Sequence, residues 1–120
     1  MKKQLLVLVA IFMGLSTYAQ KDELKAAEKA LKGGDAMAAK AAIEQAEGLI
    51  ANADEKSKAK FYFLKAQTYY DVAKKNPSDG SAYETAAKSF QELIDYEKQI
   101  GKPKYTKEAQ PMLNQLVTDV

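Results

Sequence analysis

The chain has no cysteine, no histidine, no tryptophan and no arginine, so all 18 of its basic residues are lysine. Without a thiol or an imidazole there is no thiolate nucleophile, no imidazole base, no ordinary zinc site, and no haem or iron–sulfur ligation by the usual side chains. Disulfides and lipid attachment to an N-terminal cysteine are excluded by the same count. Carboxylates, serine, lysine and tyrosine remain as chemistry, but no serine lies in a Gly-x-Ser-x-Gly setting. The carboxylate pairs Glu44 with Glu47 and Glu92 with Asp95 have Lys40 and Lys88 one helical turn away. That spacing predicts ordinary i,i+4 surface ion pairs rather than acid–base catalysis or cation binding. The expectation is a protein that is not an enzyme, with no cofactor and no metal.

The chain begins with a segment unlike the rest. Lys2 and Lys3, the apolar run from Leu5 to Leu15, and Thr17-Tyr18-Ala19 have the three-part pattern of a secretory signal peptide over residues 1–19. The apolar run is too short to span a bilayer, which takes roughly 20 residues as a helix, so no stable membrane span is expected after cleavage. The expected location is periplasmic or extracellular. Taking the leader's two lysines from 18 leaves 16 against 16 Asp plus Glu, so the net charge of +2 belongs to the leader. A mature chain of mixed charge without arginine lacks the clustered positive surface that phosphate binding needs, and no nucleic-acid partner is expected.

From residue 20 to 120 the apolar residues recur with helical period, and no segment alternates with period two over a strand's length. The spacing predicts helices near 21–32, 36–51, 55–75, 81–100 and 106–119. Gly33-Gly34 suits a tight turn and Asp35 a following cap. Asp54 is placed to cap the third helix, and Asn76-Pro77 stops it. Ser81-x-x-Glu84 has the capping-box pattern for the fourth, Gly101-Lys-Pro103 ends it, and the fifth starts near Thr106 or at Pro111.

Tyr62, Ala66 and Tyr69 on the third helix, with Ala86, Phe90 and Leu93 on the fourth, resemble the tetratricopeptide repeat. In that family a large, a small and an aromatic residue on one helix receive a small, an aromatic and an apolar residue from the next. Ala39, Ile43 and Ala46 repeat the second-helix spacing, and Gly34-Asp35 matches the family's inter-helix turn. Glu23 and Lys65 depart from it, and the 47-residue offset from Ala39 to Ala86 exceeds the ~34 of a standard unit, placing insertions in the loops. A helical bundle with alanine-rich stripes gives similar spacings.

The resemblance implies an all-α fold of antiparallel helix hairpins stacked as a solenoid, about two degenerate repeats plus one further helix. It also implies a protein-interaction scaffold, here of the bacterial cell envelope, whose concave, partner-facing surface would use Lys60, Phe63, Gln67, Tyr70 and Asp71. The branch that clamps a peptide carboxylate uses Lys and Asn where this chain has Phe63 and Gln67, so that activity is not expected. An alternative is glycan or small-ligand capture, which joint exposure of Tyr69, Tyr70 and Tyr96 would favour. Repeat-containing sugar-binding proteins of the outer membrane, however, usually carry a lipidated cysteine and exposed tryptophans. A third is a self-associating subunit, because Leu113, Leu116, Val117 and Val120 form an apolar face with nothing after it to cover it. That face also suits a chain continuing into a longer array.

Overall fold

The computed structural model describes residues 21–78 and 80–119, and the regular elements among them are all helical. They are α1 (residues 21–32), α2 (Ala36–Glu47), a 3-10 turn (Ile50–Asn52), α3 (Glu55–Lys75), α4 (Gly80–Ile100) and α5 (Thr106–Asp119). The leader expected over residues 1–19 lies outside the described residues, as does Val120. Among the described residues no helix is long and apolar enough to cross a membrane.

Most boundaries follow from local chemistry. Gly34 has φ +78°, which lets the amides of Gly34 and Asp35 return to the carbonyls of Leu31 (3.1 Å) and Ala30 (2.9 Å) and close α1 in a Schellman motif. Gly101, at φ +70°, ends α4 in the same way on Lys98 and Glu97. Asp35 and Asp54 cap α2 and α3, accepting from the amides of Ala38 (3.0 Å) and Ser57 (2.8 Å).

Two boundaries differ from the sequence expectation. The second helix stops at Glu47 rather than 51, because Gly48 favours a stop and the chain then tightens into the 3-10 turn, leaving Leu49 and Ile50 half-buried. The fourth starts at Gly80, which puts Ser81 inside the first turn rather than at its cap. The fifth runs Thr106–Asp119, as its spacing predicts, with Pro111 in its interior rather than at its start. The proline is exposed and has no N–H to give to the preceding turn, so the helix start is fixed from elsewhere in the fold.

Cross-helix contacts set the directions. Tyr70 lies 6.5 Å from Tyr83 and Tyr62 lies 5.7 Å from Tyr96 between ring centroids, so α3 and α4 are antiparallel. Glu47 with Lys65, and Lys40 over the Tyr69 ring, make α2 antiparallel to α3. Glu28–Lys60 on one side and Phe63–Tyr105 with Tyr70–Asp119 on the other make α1, α3 and α5 parallel.

The apolar core has two parts that share α3. Leu24, Ala27, Ala42, Ile43, Ala46, Phe61 and Leu64 join α1 and α2 to one side of it. Ala59, Phe63, Ala66, Tyr70, Ala86, Phe90, Leu93, Ala109 and Leu116 join α4 and α5 to the other, while Tyr62 and Tyr69 touch both. Ala66, Ala86, Phe90 and Leu93 are fully buried where α3 meets α4. The small residues let the helices approach, and each large one contributes about 1.5–3 kcal/mol on burial.

Candidate functional site

Because α1, α3 and α5 run side by side, their outward faces form one wall. A cleft of about 570 Å³ opens along it, lined by side chains from these three helices and from Tyr105, with none from α2 or α4. Lys60, Phe63, Gln67, Tyr70 and Asp71 all line it. Lys60, Phe63, Gln67 and Tyr70 follow one another at three or four residues and Asp71 lies four beyond Gln67, which keeps them on one side of α3.

Phe63, Leu64 and Tyr70 form an apolar floor, each largely buried. Tyr105 stacks on Phe63 with ring centroids 4.8 Å apart, and Gln67 Nε2 approaches Met112 Sδ at 4.0 Å. Tyr70 donates its hydroxyl to Asp119 Oδ2 at 2.6 Å, and burial, followed by that bond and its charge, pushes the phenol up to about 12. The same bond, with a second from Gln115, holds Asp119 below the usual carboxylate range. Burial also raises Tyr105.

The charges along the rim are mixed and joined. Lys60 reaches Glu28 at 2.8 Å and, with Lys32 at 3.5 Å, keeps that carboxylate ionised to lower pH against a small desolvation cost. Lys74 sits 3.4 Å from Asp71 and 4.6 Å from the Tyr70 ring centre. Ser57 and Lys60 have Ser-x-x-Lys spacing, which the sequence reading passes over, but they are not a nucleophile–base pair. Ser57 is bonded to the Asp54 cap and Lys60 to Glu28. Among the described residues no group of His, Cys, Asp or Glu could hold a metal ion. The cleft combines an apolar floor, one amide in its middle and a polar rim.

Sequence reasoning found the α3 stripe and missed Leu31, Tyr105 and Met112, which enter from the neighbouring helices. Their signal was helical spacing alone, indistinguishable from core. Phe61 and Leu64 were also passed over, because α3 is buried on two sides and its second apolar stripe reads as part of the first.

The other expected sites fall elsewhere. Tyr70 is buried and Tyr69 and Tyr96 are half-buried, so the three do not form a joint exposed platform. The expected Lys88–Glu92 pair is replaced by Lys88–Glu84 at 3.4 Å, and Lys40 lies over Tyr69 rather than pairing with Glu44. Of the C-terminal apolar face, Leu116 is buried against α4, Leu113 is half-buried and Val117 is exposed. The face is thus covered only in part, at Leu116 and partly at Leu113, while Val120 lies outside the described residues.

The chain matches no protein-family model, and no curated protein or solved structure is significantly similar to it.

Proposed function

We propose that the chain is an exported, non-enzymatic scaffold of the tetratricopeptide-repeat type that holds a protein segment in the α1–α3–α5 cleft, working in the bacterial cell envelope. The observation that carries this reading is the coincidence of two independent lines. The five residues that the repeat resemblance assigns to a partner-facing surface all line the same cleft, which is built only from the first helices of successive hairpins and from Tyr105. Apolar floor, central amide and internally paired rim suit a partner of mixed composition better than a highly charged one, which is also why nucleic acid is not proposed.

The test is a photo-reactive residue at Gln67 in the cell's own tagged protein, compared with the same residue at exposed Gln91 on α4. The expected result is one discrete protein adduct at 67, absent at 91 and weakened by Asp71→Lys on the rim. Equal adducts at both positions, or none at 67, would reject the cleft as the binding surface.

A second reading, self-association, is favoured by exposed Val117 beside an apolar cavity of about 330 Å³ between α4 and α5, lined by Tyr83, Ala87 and Leu116. Light scattering on the purified mature chain decides it: a concentration-independent monomer ends that reading.

A further inference from the structure

We propose that α5 is a hinged wall of the cleft, latched shut by the buried side chain of Glu97 on α4, and that it opens as a unit while α1–α4 stay folded. Glu97 is completely buried, and its carboxylate is fully engaged at one point. It accepts from the amide of Tyr105 through both oxygens (2.9 and 3.0 Å), from the amide of Thr106 (2.7 Å) and from the Thr106 hydroxyl (2.7 Å). These are the first donors of α5, which the helix itself cannot satisfy. A charged acceptor at a helix start is roughly twice as strong as a neutral one and also favours the helix dipole. The carbonyl of the same residue accepts from Lys102 at 3.1 Å. Glu97 thus ties down both ends of the turn between α4 and α5.

Beyond that latch, α5 is held by its packing on α4 and by few buried side chains. Only Ala109 and Leu116 are fully buried on it. Its backbone packs on α4, whereas α3 is reached through side-chain ends: the Tyr105 ring on Phe63, Met112 beside Gln67 and Asp119 on the Tyr70 hydroxyl. Every one of those α3 residues lines the cleft, so when the wall that carries Tyr105, Glu108 and Met112 swings out it gives up the α4–α5 packing and leaves the packing of α2 on α3 and of α3 on α4 in place. Gly101, already at positive φ, and the Lys102–Lys104 segment are the place where the backbone change is absorbed. Elements with little buried apolar surface open at lower free energy than the fold as a whole. This inference stands whether or not a protein partner occupies the cleft.

Residue-resolved amide hydrogen exchange on the mature chain, measured across low urea concentrations, tests it. The expected result is that amides of residues 105–119 exchange through an opening with a smaller urea dependence than those of α3. Glu97→Gln keeps the volume but turns an NH2 toward the Tyr105 amide, and should speed exchange across α5 by about thirtyfold or more while leaving α2 and α3 unchanged. Thr106→Val removes only the hydroxyl donor and should give a smaller effect confined to the same residues, which covers the case in which Glu97→Gln does not fold. Exchange of α5 only by global unfolding in the unmodified protein would overturn the proposal. So would equal acceleration of all helices in either variant, since that is the behaviour of a residue supporting the whole core.

Discussion

Thr68 is fully buried on α3, and its Oγ1 has no hydrogen-bond partner among the described residues. A buried hydroxyl left unpaired costs about 1–3 kcal/mol, so Thr68→Val should stabilise the protein by about 1 kcal/mol, read as a rise in the urea midpoint with unchanged slope. A fall in the midpoint would mean that the hydroxyl has a partner, such as a buried water. Ala86 gives the opposite case. It has no exposed surface at the α3–α4 contact, and Ala86→Glu forces a charge into it, so the thermal melt should collapse or fall steeply. Tyr70 makes a prediction in alkali. Its phenol ionises at about 12 in the folded chain against an ordinary 10.0, so between those values the unfolded state sheds the proton first. Stability held below pH 10 is then lost as pH rises toward 12. Tyr70→Phe should flatten, not abolish, that loss in urea melts, because Tyr69, Tyr96 and Tyr105 are raised in the same direction.

Among the elements, the two kinds of helix end behave differently. Asp54 caps α3 through a bond three residues away, and Asp54→Ala should cost about 1 kcal/mol in urea unfolding. A Cβ at Gly101 would meet nothing within 4 Å, so Gly101→Ala should cost a similar ~1 kcal/mol purely from its positive φ. Such local devices are why four of the five helices were legible from Gly, Pro and Asp positions. The start of α5 was placed near Thr106 by its spacing, but its cap was not legible, because that cap is Glu97, eight or nine residues back and brought there only once α4 is formed and the Gly101 turn is made. Nothing in the neighbourhood of Thr106 announces it, and Pro111 points the wrong way. The cleft divides along the same line. The α3 stripe from Lys60 to Asp71 was readable from the repeat register, whereas Leu31 and Met112 join it only through the parallel placement of three helices distant in sequence.

At the scale of the molecule, neighbours in sequence are neighbours in space: α2 packs on α3, α3 on α4 and α4 on α5. If the chain is a repeat stack, as proposed, it carries its stability as local units plus the interfaces between them, rather than as one indivisible core. Among the described residues the two core regions meet through α3, with the rings of Tyr62 and Tyr69 touching both. Ile43 lies in one region and Leu93 in the other, each essentially without exposed surface. Ile43→Val should cost about 0.5–1.5 kcal/mol and Leu93→Ala about 2–5 kcal/mol. If the regions are separable, the double variant should lose the sum to within about 0.5 kcal/mol, because the two residues lie in different core regions. The distribution of the loss matters as much as its size. Leu93→Ala should speed amide exchange most in α4 and α5 and least in α1 and α2, with Ile43→Val showing the reverse order. A coupling energy above about 1 kcal/mol, or identical exchange patterns in the two variants, would instead mean that α3 transmits packing across its full width and that the chain is one cooperative bundle.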